Sequence, residues 1–514
     1  MIIPTSPFAS LPTLMLFTPD SDLSIFLGEV HRLAERAPAL LSAIDCDLDA
    51  HGRRKKALRL ADAHWERSRS GTLPTHHAEP PNFDPDRLAL AEGRPRTPAY
   101  VVLFALLLRG YFGAGFKSCD ATTFMLESIS LHVFFSNLGM RLPGRSTLTE
   151  LINAVTNATR RRILDAQLAE VLGLRWDDFD VMIQDSTHVE GNTAWPTDSR
   201  TMVALAQRAL RVGAALPKLG LPALAVSLPV RRNVAAMVSL DREIDFAKGT
   251  KEADKVRLRR YDKLLLRARR VLHRLKIALE AIVAALAALD VRPSDRAKAE
   301  RAVARVRDDI SSLAKVIEHC EARVLHDRKV PVGEKVLSLS DPEAGFIAKG
   351  QRNPVIGYKP QLARSVGGYI TGLLLPPGNA SDSGQLVPMT EAVIASTGVT
   401  PRVVSVDDGY ASAANVKALR DKGIKVVSIS GSKGRKLTHR KDWESDEYTE
   451  ARDLRSAAES LMFTLKDGYA FDAVARRGLA AVEGELLEKA LAYNACRMAL
   501  TRRANALEEF AAVA

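Results

Sequence analysis

Arg402-Val-Val-Ser-Val-Asp-Asp-Gly-Tyr410 is the stretch that decides the fold class. Val403, Val404 and Val406 are β-branched, and the run breaks into a polar loop at Asp407, as a short buried strand does. A helical pattern follows over Ala413–Asp421, Gly423 stops it, and Ile424–Ile429 reads as a second strand. A strand–helix–strand unit of this length implies parallel neighbours in one sheet. Upstream, Phe179-Asp-Val-Met-Ile-Gln-Asp185 is another apolar strand that closes on an aspartate. Between them, Val336–Leu339, Val355–Ala363 and Tyr369–Leu375 are short apolar segments separated by Gly, Pro and Asp. They suit an antiparallel meander. Parallel and antiparallel pieces together predict an α/β (α+β) core with a mixed sheet.

Asp185 and Asp407 stand out because aspartate is poorly suited to strand interiors. In open α/β sheets, ligands gather beyond the carboxyl ends of the strands. Each could instead cap a turn or a helix. The helical segment Arg452–Lys466 supplies a third acid. At about 100° per residue, Arg455, Glu459 and Lys466 fall within about 60° of one another. Leu454, Ala458, Leu461 and Leu465 form a separate stripe roughly 110° away. The helix can therefore bury that stripe and present Glu459 between two cations. An Arg–Glu pair at this spacing is by itself an ordinary surface salt bridge. Two strand-end aspartates and a helical glutamate can nevertheless converge on one site. Clustered carboxylates repel unless hard cations sit among them. Mg²⁺, which takes oxygen ligands, is the natural choice.

The chain has 514 residues, 46% hydrophobic and 26% charged, which suits a folded protein of two to four domains. Its net charge of +12 favours a polyanionic partner. Charge alone does not separate DNA, RNA and an anionic membrane. Cys46, Cys119, Cys320 and Cys496 are far apart, without Cys-x-x-Cys or zinc spacing, which fits a reducing cytoplasm. Met1–Pro19 has no basic stretch before its apolar residues, which argues against a signal peptide. Ala99–Leu108 and Ala281–Leu289 are too short to span a bilayer, so no membrane partner is expected. No Gly-x-x-x-x-Gly-Lys-Ser/Thr loop is present, so no nucleotide cofactor is expected.

The rest of the chain reads as helix. Residues 20–70 have helical spacing, and Gly71–Arg96 resembles a linker. Within Pro98–Leu172, Ser146 or Thr147 can cap a helix that carries Glu150 near its third position. With Arg160-Arg-Arg162 further on, this suits either a DNA-binding helix-turn-helix or a surface helix with a basic end. From Leu258 the apolar residues keep a heptad: Leu258, Leu265, Leu272, Leu279 and Leu286, with Tyr261, Ala268, Leu275, Ile282 and Leu289. Asp290–Ser294 can turn the chain, and Val303, Ile310, Ile317 and Val324 continue the pattern. An antiparallel helical hairpin is expected, each arm roughly 45–50 Å long. Its arginine-rich face (Arg257, Arg259, Arg260, Arg267, Arg269, Arg270) is either solvated or an arm for DNA or a second copy. The expected division is a helical N-terminal region and linker (1–95) and a helical, DNA-binding segment (96–174). A catalytic domain follows (175–206 plus 334–514), interrupted by the inserted hairpin (207–333).

Four segments then resemble one family, the bacterial insertion-sequence transposases with a DDE triad. Asp185-Ser-Thr-His-Val-Glu-Gly-Asn-Thr-Ala-Trp-Pro-Thr-Asp-Ser-Arg200 resembles its first-aspartate motif. Gly357-Tyr-Lys-Pro-Gln-Leu-Ala and Pro377-Gly-Asn-Ala-Ser-Asp-Ser383 resemble its middle strands and following loop. Asp407-Asp-Gly-Tyr410 is similar to the second-aspartate motif, and Arg455-x3-Glu459-x6-Lys466 to the third-carboxylate signature. One departure is that Arg452 stands where the family usually has a tyrosine; the nearest is Tyr448.

The resemblance implies an RNase H-like catalytic domain in which Asp185, Asp407 and Glu459 hold two Mg²⁺ ions, Mn²⁺ being a possible substitute. The motif places the carboxylate two residues before glycine, which selects Asp407; by the strand's period of two, Asp408 points the other way. Glu483 and Glu485 lack the Arg and Lys spacing. Lys466 and Arg455 would contact terminal DNA phosphates. The run Lys433-Gly-Arg435-Lys436, with Arg440, would follow the DNA backbone or form a mobile solvated loop. Trp195 would stack on an unpaired base or serve as a core residue. The implied activity is end cleavage and strand transfer by two-metal phosphoryl transfer, the ions roughly 3.5–4 Å apart. The substrate is double-stranded DNA and the protein a homodimer or larger on it, in the nucleoid of the cytoplasm. The rival readings are an inactive, domesticated DNA-binding or structural protein and a metal-dependent nuclease that cuts without joining.

Overall fold

The structure, a computed structural model, describes residues 22–70, 83–89, 96–112, 118–193, 197–222, 228–246, 251–331, 334–348 and 354–513. The N-terminal part is helical: α1 (Asp22–Arg36), α2 (Pro38–Arg69), α3 (Ala99–Phe112), α4 (Ser118–Glu127), α5 (Ile129–Asn137), α6 (Arg145–Ala154) and α7 (Asn157–Gly173). Strands β1 (Val181–Ser186) and β2 (Val189–Glu190) follow, then four helices: α8 (Asp198–Ala215), α9 (Leu228–Phe246), α10 (Lys251–Ala287) and α11 (Pro293–Cys320). Next come β3 (Gly345–Ile347), β4 (Val355–Tyr358), β5 (Gln361–Arg364), β6 (Ile370–Leu374), α12 (Leu386–Thr397), β7 (Val403–Val406), α13 (Ala413–Asp421) and β8 (Val426–Ile429). Five helices end the chain: α14 (Ser432–Leu437), α15 (Arg440–Trp443), α16 (Asp446–Asp453), α17 (Ser456–Tyr469) and α18 (Leu479–Val513). The chain forms two compact units, one drawn from 1–51, 92–192 and 343–514, the other from 52–91 and 193–342.

In the first unit a five-stranded sheet runs in the order β6-β5-β1-β7-β8. β6, β5 and β1 pair antiparallel, whereas β1, β7 and β8 pair parallel. The sheet is mixed, and the strand–helix–strand unit around α13 supplies its parallel half, as its sequence requires. Val336–Leu339 forms no strand, and Val355–Ala363 is not one strand but two. The break falls at Lys359-Pro360, where proline has no N–H to give a ladder. β4 turns away into a small sheet of order β2-β4-β3. Gly357 is required there, because a Cβ at that position would lie 1.9 Å from the Val189 carbonyl oxygen.

Alternation along the strands sorts the two faces of the large sheet. Met182, Ala363, Val404, Val406 and Val427 pack with Leu386, Met389 and Leu419 of α12 and α13. On the other face, Val181, Val403 and Val426 meet Tyr448 and Ala451 of α16. The N-terminal helices share one core with α18: Phe104, Leu107, Phe135 and Leu168 cluster with Leu491, Ala495 and Met498. α6 begins at Arg145 with Gly144 as its cap residue and no side-chain cap bond, so neither Ser146 nor Thr147 caps it. The next helix, α7, is capped, Thr156 accepting from the Thr159 N–H. The basic end expected of a DNA-reading helix is only partly available. Arg160 is buried on Glu488 and Arg161 pairs with Glu483, leaving Arg162 exposed.

Among the described residues of the second unit, α8 and α9 pack with α10 and α11, so the hairpin is not bare, and the C-terminal part of α2 belongs to the same unit. α10 and α11 are the expected arms, and Pro293 starts the second of them. Met202, Leu205, Ala206 and Ala209 of α8 and Val230, Val234 and Met237 of α9 join their core. The heptad therefore buries Leu265, Ala268, Leu275 and Ile282 but leaves Leu258 exposed. Asp309, fully buried on α11, receives the Arg208 guanidinium from α8 with Nε 2.9 Å from each oxygen. Of the arginine row, Arg260 pairs with Glu243 and Arg269 with Glu321, while Arg267 donates to Asn233.

Candidate catalytic site

Asp185 is the fifth residue of β1, 8% exposed, and opposite Leu362 of β5. Its Oδ1 accepts from the Ser186 N–H at 2.7 Å. Asp407 follows β7 directly, because a tight turn over Asp408–Tyr410 ends the strand there. Asp407 caps that turn, its Oδ1 accepting from the Gly409 N–H at 2.9 Å. Since β1 and β7 are parallel neighbours, the two aspartates emerge at the same end of the sheet.

α17 brings the third acid. Ala458, Leu461 and Leu465 of its apolar stripe are buried, which turns Glu459 and Lys466 outward. Asp185, Asp407, Arg455, Glu459 and Lys466 all line a single cavity of about 590 Å³. Ser186, Thr187, His188, Met462 and Phe463 complete its wall. Glu459 is exposed and ion-paired to Arg455 one helical turn earlier. Among the described residues no three Asp, Glu, His or Cys side chains are gathered tightly enough to hold a metal ion as they stand. The donor set is all carboxylate oxygen from the three acids, the chemistry of a hard divalent cation. Holding such an ion with all three requires Glu459 to exchange Arg455 for it.

The neighbouring acids are otherwise employed. Asp408 turns away, its Oδ1 accepting from the Lys433 and Gly434 N–H groups at the start of α14, at 2.8 and 2.9 Å. Glu483 pairs with Arg161 and Asn157, and Glu485 accepts from the Ala475 and Arg476 N–H groups; neither lines the cavity. Tyr448 is a strut of the fold: 3% exposed, its hydroxyl accepts from the Ile429 N–H at 3.0 Å and packs α16 on β8. Arg452, at the position of the departure, lies over the Trp443 ring at 5.2 Å.

Lys433, Arg435 and Lys436 are exposed on α14, and Arg440 is exposed on α15, paired with Glu444. The run forms two short helices rather than an unstructured loop, and none of these four residues lines the cavity. Trp195 lies outside the described residues. Sequence reasoning missed His188 and Phe463. Phe463 is 71% exposed beside the acids, and its signal was available: it is four residues from Glu459 and three from Lys466, on the same helical face.

Residues 318–495 match the family described as transposase DDE domain. The span includes Asp407, Glu459, Arg455 and Lys466 but begins after Asp185. The matched segment is thus similar to the DDE domain of transposases, and it covers about a third of the chain. No curated protein and no solved structure matches it. No described helix is long and apolar enough to cross a membrane.

Proposed function

We propose that this chain cleaves the ends of an insertion sequence and joins them to target DNA. Asp185, Asp407 and Glu459 act as its catalytic acids on an RNase H-like core. One observation carries the reading: three acids from β1, the end of β7 and α17 line the same cavity as Arg455 and Lys466. Asp185 and Glu459 are separated by more than half of the chain, and no requirement of packing brings carboxylates together against their own repulsion.

In this reading Asp185, Asp407 and Glu459 would hold two Mg²⁺ ions, with Mn²⁺ as a substitute. When bound, they supply Lewis acidity at the scissile phosphate and lower the pKa of the attacking water or 3′-hydroxyl. The protein's own part is positional. β1 and β7 fix two carboxylates on a rigid sheet, and α17 presents the third. Lys466 and Arg455 neutralise phosphate oxygens beside them. Lys433, Arg435, Lys436 and Arg440 extend a basic track for the duplex, and Trp195 stacks on an unpaired end base. The working form is a homodimer or larger on paired ends, in the nucleoid of the cytoplasm.

The test is cleavage of DNA carrying the terminal sequences that flank the coding region, with Mg²⁺. Asp185→Asn, Asp407→Asn and Glu459→Gln are each expected to abolish nicking while binding the same DNA with near-wild-type affinity. Full end cleavage by any one purified variant removes that residue from the triad. Cleavage without joining in a strand-transfer assay makes the protein a nuclease instead.

A further inference from the structure

Two motifs of the sequence, Gly357-Tyr-Lys-Pro-Gln361 and Asn379-Ala-Ser-Asp382, have no part in the cavity wall. They meet just behind it. Lys359 Nζ lies 2.6 Å from Asp382 Oδ2, and Gln361 Nε2 donates to Asp382 Oδ1 at 2.8 Å. The Tyr410 hydroxyl donates to Gln361 Oε1, which also accepts from Gln184 Nε2 at 3.2 Å. Gln184, Gln361 and Tyr410 are all fully buried. Ser186 also lies within hydrogen-bonding reach of the Tyr410 hydroxyl. Gln184 and Ser186 flank Asp185, and Tyr410 closes the turn that Asp407 opens. A Cβ on Gly409 would stand 3.0 Å from Asp407 Oδ1 and 3.3 Å from Asp382 Oδ2, so these two carboxylates flank the same glycine.

We propose that Lys359, Asp382, Gln361 and Tyr410 form a positioning network that fixes the separation and aim of Asp185 and Asp407. Ile183 and Ser405 are the last partners in the β1–β7 register, so neither aspartate lies within that pairing. β5 holds Asp185 from the other side, with Leu362 opposite it, and this chain of bonds links Gln184 and Gln361 of those two strands to the Asp407 turn through Tyr410. Lys359 neutralises Asp382, so a fourth acid can stand beside Asp407 as a strut. Buried polar networks of this sort fix geometry only when every member is present.

The inference rests on the proposed catalytic role of the two aspartates, and its test separates the two. Tyr410→Phe removes one oxygen and keeps the ring; Lys359→Met removes the charge; Lys359→Arg retains it. Each full-length variant is titrated with Mn²⁺ alone, followed by paramagnetic resonance, and assayed for Mn²⁺-dependent end cleavage. Expected for Tyr410→Phe and Lys359→Met is a Mn²⁺ half-saturation raised at least fivefold in both readouts, with DNA affinity within twofold of wild type. Lys359→Arg is expected to stay within threefold throughout. Wild-type Mn²⁺ half-saturation in both Tyr410→Phe and Lys359→Met overturns the network, as does loss of cleavage that merely follows loss of thermal stability. A wild-type protein that cleaves nothing defeats the catalytic reading instead, and the Mn²⁺ titration still decides the network.

Discussion

Replacing Glu488 by glutamine tests whether buried charge locks the C-terminal helix into the sheet-bearing unit. Glu488 is 1% exposed. It accepts from Arg109 Nε and Nη2 at 2.8 and 2.6 Å, from Arg160 Nε at 2.8 Å and from Arg476 Nη2 at 2.6 Å. One carboxylate thus satisfies guanidinium groups from α3, α7 and the segment before α18. Burial alone would raise its pKa, but Arg109, Arg476 and Arg160 outweigh burial and hold the carboxyl well below the usual carboxylate range. Glutamine keeps the shape, removes the charge and sets N–H donors against donors. Breaking a buried pair by removing one partner costs about 3–5 kcal/mol. At about 2 °C per kcal/mol for a large domain, Tm falls by roughly 6–10 °C at pH 7. The folded pKa lies below the unfolded one. The contribution is therefore complete above the unfolded carboxylate value, about 4.3, and is lost as pH falls through the folded value. Scanning calorimetry should show a full gap between wild type and variant at pH 7 that narrows below about pH 4. A variant melting within about 2 °C of wild type at pH 7 would refute the reasoning.

Two further outcomes follow from named contacts. Changing Lys433, Arg435 and Lys436 together to alanine should lower the slope of log affinity against log salt by about 2–3. Gel-shift titrations between roughly 50 and 200 mM salt measure it, and an unchanged slope removes α14 from the DNA path. Tyr448→Phe leaves the buried Ile429 N–H without its acceptor and should cost about 1–3 kcal/mol in urea unfolding at unchanged m. A loss below about 0.5 kcal/mol would show that the α16–β8 seam does not depend on that hydroxyl.

How much of this was legible in the sequence depends on the range of the interaction. The α13 boundaries and the parallel β7–β8 pair follow from local pattern alone, because period, glycine stop and β-branched runs agree. The face of α17 that carries Glu459 was equally readable from Ala458, Leu461 and Leu465, but the helix begins at Ser456; Arg452 belongs to α16, and Leu454 and Arg455 form the break between the two. The break at Lys359-Pro360 could have been read from proline's missing donor. The packing of α8 and α9 on the hairpin could not be read from the heptads. A heptad reports one apolar seam, whereas α8 and α9 cover flanks of α10 and α11 that show no strict repeat. Arg160 and Glu488 were also beyond reach. A basic run and a helical glutamate more than three hundred residues apart carry no mark that one will neutralise the other.

The Arg455–Glu459 pair shows why one spacing can serve both a bland and a sharp reading. On an isolated helix it is a surface ion pair worth a few tenths of a kcal/mol. At the edge of a cavity already lined by Asp185 and Asp407, the same pairing offsets the repulsion a third carboxylate would feel. The weakness of an exposed pair then matters, because under the proposed function a divalent cation would compete for Glu459 against little binding energy. Lys359 and Asp382 make the contrasting case: that pair is more sheltered from solvent and is tied to Gln361 as well, which suits a fixed strut rather than an exchangeable partner. Two ion pairs beside one cavity thus differ in the property that decides their use, the cost of separating them, and that cost follows from exposure and from the number of hydrogen bonds each carboxylate keeps.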